Sequence, residues 1–572
     1  MPLWVVFNFN QNRHMIKKAF VYLIILVFLG ACTKEEAKEV SFVITPSHFE
    51  EKEALKVKVQ FAADTSGVSI LEFPNEAWGQ NNLHDVLKGL TLNDAEGQIT
   101  MDRDSGRIAL RHPKELTILS FEYQIVQDFE EDISSRKIYR PIVQPQYFHV
   151  FSHNLFMLPK NGEDELHIEM RWEGFPEDYV IHNSFGSQEL QQHLRVLRKD
   201  FGSAIFVGGD FRVHTDSIQG NAISLATRGD WVPFAEEEVF DVLKQTLTIQ
   251  RNFWNDHSQK YFTVTLQPFP QESGSSFQGT GLTNSFATSI SNNEHTDLGQ
   301  LVYLFNHELM HNWIGLTIEN DNEEEQYWFS EGFTEYYTFK NIAKNNINGL
   351  GKDHFIREIN RSIKSLQALP IRGAPNSEIN YDNFWSNRDY QKLPYYRGSL
   401  FAFYLDSEIW KRSKGQYSLD DVMKIILKDA EEKGQKLTHD YFLAVMTPFF
   451  GEELKATFKN YILEGKALPL ALIFEEMGLE FEQETDIYEL GFELSEDGAQ
   501  VVSVVEGSNA EQAGLRAGDA LTSRSIWFGA TDKQVELGLA KLPGKIVRFY
   551  PVKRVELPTL LNSEKNRDLI LP

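Results

Sequence analysis

The 572-residue chain holds one cysteine, Cys32, so no disulfide can form within it. It is also short of positive charge: 56 Lys and Arg stand against 82 Asp and Glu, a formal net charge of −26. That balance argues against binding nucleic acid or another anionic surface and favours solubility. No internal repeat and no long low-complexity segment is evident. Long apolar runs are scarce. The run 19–29 follows Lys17 and Lys18; it is too short for a comfortable membrane span but suits the apolar segment of a signal peptide. The rest is ordinary for a globular protein, with 42% hydrophobic and 24% charged residues. There is length for three or four domains, and 42 Phe suggest well-filled cores.

The most informative stretch is Phe305-Asn306-His307-Glu308-Leu309-Met310-His311-Asn312-Trp313. His307 and His311 stand four apart, so on a helix they share one face and can grip one metal ion. Leu298, Val302, Phe305 and Leu309 fall on the other side at helical spacing and would bury against a core. Glu308 sits between the histidines, where a carboxylate can take a proton from water. Two histidines do not complete a zinc site. Beyond them, residues 328–336 form another helix-like run, and Glu331 within it is the natural third ligand, leaving a fourth position open.

Short alternating segments dominate from Val40 to about Thr227, separated by turn signals such as Asn161-Gly162, and read as an antiparallel β-domain. A helix is expected over 234–254 and a strand over 260–266. Next come a Gly/Ser loop at 273–276 and a strand-like stretch around Thr283. The glycines of that stretch allow backbone to approach a ligand, and an extended peptide could add to its edge. Residues 340–479 are largely helical, with buried stripes at 401–405 and 421–426.

The pattern His307-Glu308-x-x-His311-x-Trp313 with Glu331-Gly332-Phe333-Thr334 resembles the gluzincin metallopeptidases. These include the aminopeptidase N family, leukotriene A4 hydrolase and the glycyl aminopeptidase family. The gap of 19 residues between His311 and Glu331 is one longer than the aminopeptidase N pattern, a difference the acidic loop 320–325 can absorb. The resemblance extends to Pro394-Tyr395-Tyr396-Arg397-Gly398, similar to a Pro-Tyr-x-x-Gly run whose tyrosine donates to the tetrahedral intermediate. It implies that role for Tyr395, with Tyr396 as the alternative. It also implies Zn2+ held by His307, His311 and Glu331, Glu308 as general base, and a peptide or protein substrate. Glu335, four residues after Glu331, can lie on the same face and orient a ligating imidazole, as a similar acid does in thermolysin-like enzymes.

One departure concerns specificity. Aminopeptidases of this group carry a Gly-Ala-Met-Glu-Asn or Gly-Gly-Leu-Glu-His run whose glutamate holds the substrate's free amine. The matching stretch here is Gly279-Thr280-Gly281-Leu282-Thr283-Asn284-Ser285, with Gly281, Thr283 and Asn284 as substrate-binding candidates. A hydroxyl at Thr283 cannot pair with an ammonium as a carboxylate does. Either another acid, such as Glu272 or Glu294, holds the amine, or the enzyme cuts inside peptides.

Two further resemblances complete the reading. Leu29-Gly30-Ala31-Cys32 looks like a bacterial lipobox, which implies lipidation of Cys32, membrane attachment and a place in the cell envelope, at the outer membrane. The segment 508–519, Ser-x-Ala-x-x-Ala-Gly-Leu-x-x-Gly-Asp, is similar to bacterial PDZ domains. There Leu490-Gly491-Phe492 would be the loop that caps a peptide C-terminus. The expected architecture is multidomain α+β, most like the glycyl aminopeptidase family. It comprises a signal peptide (1–31), a tether (32–39), an N-terminal β-domain (40–227) and a thermolysin-like catalytic domain (228–345). A helical domain (346–480) and a PDZ domain (481–572) follow. The expected function is a zinc peptidase, aminopeptidase-like. A zinc endopeptidase, or a lipid-anchored PDZ binding protein with a vestigial metal site, are the alternatives.

Overall fold

The computed structural model describes residues 39–93, 97–130, 133, 137–160, 164–271 and 274–571. Cys32, the signal segment, the tether and Glu272 lie outside the described residues. The chain divides into two compact units, one ending at Asp210 and the other running on from Phe211.

The first unit is built of β-sheets, with strand orders of six, five and four members. Its period-two patterning is plain in the strand Lys52–Ala62, where Leu55, Val57, Val59 and Phe61 are buried while Lys56, Lys58 and Gln60 are more exposed. These residues join Phe42, Phe121, Trp172 and Phe206 in one core.

In the second unit a five-stranded sheet comes first. Its strands run in the order Arg212–Ile218, Asn221–Thr227, Tyr261–Phe269, Ser285–Ser291 and Phe277–Leu282. The sequence pattern assigned the first two to the N-terminal β-domain; here Asn221–Thr227 pairs with Tyr261–Phe269, and Arg212–Ile218 joins the same sheet through Asn221–Thr227. Period-two alternation marks a strand but not its partner. The better clue is Asn221–Thr227, buried almost throughout, as suits a parallel strand inside a sheet. Helix Glu236–Trp254 follows the 3.6-residue pattern and packs Val239, Leu243 and Leu247 on sheet residues Leu225, Val264 and Phe286. The stretch around Thr283 is a hairpin: Thr283 and Asn284 form the two-residue turn, and Asn284 takes a positive φ of 50°. Asn is among the few side chains that tolerate that conformation.

The helices Leu298–Met310, Glu323–Ser330, Gly332–Lys344, Lys352–Ala368, Arg388–Arg412, Leu419–Lys433 and His439–Phe450 follow. Trp328, Phe333, Tyr336, Phe401, Phe442 and Phe458 fill the core between them. The same core takes in Leu557, Leu560, Ile570 and Leu571 from the C-terminal stretch. There, Phe481–Tyr488 pairs with Val552–Leu560, and small sheets of two and three strands enclose Phe492, Val501, Leu515, Leu537 and Phe549. No helix among the described residues is long and apolar enough to cross a membrane.

Candidate metal centre

Asp297 starts the motif helix by accepting a hydrogen bond from Gln300 N at 3.1 Å, with the Gln300 side chain reaching back to Asp297 N at 3.4 Å. The buried face carries Leu301, Val302, Phe305 and Leu309. The helix closes at Met310, and His311 follows it with helical backbone, so the i, i+4 relation to His307 holds. Sequence reasoning missed Asn306. Its amide donates to Val302 O and Thr246 Oγ1, and Asn341 Nδ2 donates to its Oδ1 at 2.6 Å. Gln250 also donates to its backbone carbonyl. This one buried amide ties the motif helix to both neighbouring helices. The available signal was a polar residue on an otherwise apolar helix face.

Glu331 stands at the junction of Glu323–Ser330 and Gly332–Lys344, with helical φ and ψ of −92° and −45°. The Gly332 that follows is required by space. A methyl group there would come within 2.4 Å of Gly398 Cα, on the helix that carries Tyr395.

These elements bring His307 Nε2, His311 Nε2 and one Glu331 oxygen within 4.8 Å of one another. Glu331 Oε2 lies 3.5 Å from His307 Nε2 and 3.7 Å from His311 Nε2. Tetrahedral zinc with bonds of ~2.0–2.2 Å places its ligand atoms about 3.4 Å apart. Both imidazoles are held by their other nitrogen. His307 Nδ1 faces Glu335 Oε2 at 3.1 Å, and His311 Nδ1 faces the Ile314 carbonyl at 3.0 Å. A carbonyl can only accept, so His311 carries its proton on Nδ1 and presents a lone pair at Nε2. Tyr303 Oη donates to the same Glu335 oxygen at 2.6 Å. Glu331 Oε2 is buried and makes no hydrogen bond. An orphaned buried carboxylate oxygen converging with two imidazole nitrogens suits a dication, so the donor set fits zinc.

Burial and charge oppose each other across the cluster. Burial opposes charge on Glu331, but His307 and His311 outweigh it and hold its pKa down to about 2. Burial opposes charge on His307 as well, and Glu331 with Glu335 raises it to about 10. Burial pushes the Glu308 carboxyl up, against the pull of His307 and His311. The Tyr395 ring lies parallel to His307, with centroids 5.7 Å apart and planes at 13°. Burial and the Glu331 charge raise Tyr395 well above its ordinary value, so it stays a neutral donor. Lys392 Nζ sits 4.4 Å from the centre of that ring.

The remaining candidates are not all drawn into this cluster. Gly281 is in the edge strand and Thr283 and Asn284 are in its turn; Thr283 O accepts from Ser285 Oγ at 3.0 Å. Glu294 has an 86% exposed side chain, 3.9 Å from His295. It precedes the first turn of the motif helix, and Leu298 alone is about 13 Å of helix rise from His307. Glu294 is not among the residues that converge on the metal-ligand cluster. Leu490 and Gly491 form the loop that leads into the strand Phe492–Leu494 of the C-terminal region, and the Gly491 carbonyl accepts from Val505 N at 2.9 Å. The Trp527 ring, from a loop of the same region, meets the His295 ring edge-on at 5.6 Å.

Comparison with solved structures places this architecture. A crystal structure of an aminopeptidase N family protein from Idiomarina loihiensis superimposes with a TM-score of 0.68 at 16% identity, over 93% of this chain and 100% of that one. The fold is that of the aminopeptidase N family protein. Native yeast LTA4 hydrolase gives a TM-score of 0.42 at 12% identity, over 76% of this chain and 68% of that one. Leucine aminopeptidase 2 of Yarrowia lipolytica is 25% identical over 216 residues, 35% of this chain. The chain thus spans only 30% of the length of that curated relative. No family model matches the sequence.

Proposed function

We propose that this protein is a zinc-dependent peptidase that hydrolyses peptide bonds, with aminopeptidase action as the first reading. The observation that carries it is the convergence of His307 Nε2, His311 Nε2 and the orphaned Glu331 oxygen. His307, His311 and Glu331 would hold Zn2+, whose chemistry is Lewis acidity toward a carbonyl and toward water. Glu335 and the Ile314 carbonyl fix the two imidazoles. Glu308 accepts the proton of the attacking water and passes it to the leaving amine. Tyr395 donates its phenolic proton in a hydrogen bond to the oxyanion. Replacing Glu308 by Gln keeps shape and metal but removes the base. Peptide hydrolysis should fall by ~100-fold or more with the metal content of the protein unchanged. Wild-type turnover by Glu308→Gln would overturn the assignment.

Aminopeptidase action is supported by the fold and by the name of the curated relative. A second reading, endopeptidase action, is favoured by Thr283, which leaves the hairpin turn without a carboxylate for a free amine. The arrangement of a β-unit, a helical region with the candidate metal ligands and C-terminal sheets supports a type like the glycyl aminopeptidase family. A PDZ-like module over 481–571 is supported by the tight turn in which Asp519 Oδ2 accepts from Arg516 N at 2.9 Å. It is supported too by the strand Phe492–Leu494, which pairs on one side with Val501–Val504 and keeps a second edge for an added peptide strand. Anchoring through a lipidated Cys32 in the bacterial envelope rests on the sequence pattern 29–32.

A further inference from the structure

Arg397 lies two residues beyond Tyr395 on the helix Arg388–Arg412, and two positions on a helix turn the side chain to a different face. It is 5% exposed. Its hydrogen bonds go to backbone carbonyls alone: Ala374 at 2.7 Å, Arg372 at 3.1 Å and Ile462 at 3.5 Å. No carboxylate is among its hydrogen-bond or ion-pair partners in the described residues, although the chain carries 26 more acidic than basic groups. Buried charges are ordinarily paired. Burial alone draws the Arg397 pKa down to about 10, with no acid restoring it. Lys340, the comparable buried cation of the same region, has two aspartates.

Arg397 lines a cavity of about 620 Å³. That volume lies within the ~300–1,000 Å³ of small-molecule sites. The other walls are mainly aliphatic and aromatic, among them Leu366, Leu400, Phe401, Leu468 and Leu557. Gly465 sits against the guanidinium so closely that a methyl group there would come within 2.8 Å of Arg397 Nη2. The cavity reaches the surface beside Leu472, which is 52% exposed. Both Nη2 hydrogens go to backbone carbonyls, so a carboxylate would meet the Arg397 charge through the N–H donors left over, and the apolar chamber beside it takes a hydrocarbon body.

We propose that this cavity is a binding site for an aliphatic monocarboxylate, whose head pairs with Arg397 and whose chain lies along Leu366, Leu400, Phe401 and Leu468. The site is separate from the metal centre, and binding does not depend on peptidase activity.

The test is calorimetric titration of the full chain with sodium decanoate, and with 1-decanol as its uncharged counterpart, below micelle-forming concentrations. Decanoate should bind once per chain and at least tenfold more tightly than decanol. Arg397→Met should remove that difference, and Arg397→Lys should restore part of it. Should the Arg397 variants fail to fold, Ala471→Trp decides the matter. Ala471 lines the cavity from a partly exposed position, and the indole should fill it and reduce decanoate binding at least tenfold. No decanoate binding, equal binding of decanol, or undiminished binding by Ala471→Trp would each overturn the proposal. Tighter binding of N-acetyl-Leu-Leu than of decanoate would overturn it too, in favour of a peptide C-terminus.

Discussion

Gly332 Cα lies 2.7 Å from the point where a methyl group on Gly398 would stand. Two helices thus touch backbone to backbone, one residue after Glu331 and three after Tyr395. Gly398→Ala must push them apart, because its methyl would also come within 2.1 Å of the Trp328 carbonyl. A shift of ~1 Å at a catalytic group costs about 100-fold in rate. Gly398→Ala should therefore lower kcat far more than it lowers zinc content, as measured by steady-state kinetics beside metal analysis.

Glu335 bonds both Tyr303 and His307. Replacing it by Ala leaves the three ligands in place but frees the His307 ring. Loss of such a supporting carboxylate typically weakens metal affinity ~10–100-fold. Competition with a chelator should show that weakening; an unchanged zinc affinity would remove Glu335 from the centre.

Lys340 joins Asp406 at 2.7 Å and Asp420 at 2.6 Å, with the Lys340 and Asp406 side chains each 4% exposed. Burial opposes charge on Asp420, but the Lys340 ammonium outweighs it and holds the folded pKa below the ordinary 3.8. Stability from this group is therefore complete above pH ~4 and is lost as the pH falls through the folded value. Lys340 is raised, so its contribution persists until strongly alkaline pH. Lys340→Met should cost about 3–5 kcal/mol at pH 7 by leaving buried carboxylates uncompensated. The deficit should shrink at pH 4–5, where a carboxyl without a partner takes a proton. Denaturant unfolding at the two pH values tests both size and sign.

Peptides with free and with acetylated N-termini separate the two peptidase readings. Aminopeptidase action requires that acetylation abolish cleavage, as read by mass spectrometry of a digested library. Thr283 offers no carboxylate, so internal cuts in acetylated peptides at comparable rates would promote the endopeptidase reading. An ammonium buried without a partner costs several kcal/mol, on the order that decides such a preference.

The sequence already displayed the parts of the centre that depend on local spacing. The His307–His311 pair, Glu331 and Glu335 are legible because a helix converts an interval of four into a shared face. Tyr395 was legible through its run with Gly398. What stayed hidden depends on contacts far apart in the chain. Asn306 gains its meaning from Thr246 and Asn341, and the strands 212–227 from a partner some forty residues on. The turn at Thr283 was obscured because Thr283 is itself β-branched and reads as part of a continuing strand.

The side chains of Ile570 and Leu571 are buried in the core that holds Trp328 and Phe333 beside Glu331. During synthesis, that core is not complete until residue 571 has left the ribosome, long after the histidines have emerged. At ~5–20 residues per second the wait from Glu331 is on the order of ten seconds or more. The nascent chain thus carries its metal ligands before it carries the last of the packing around them.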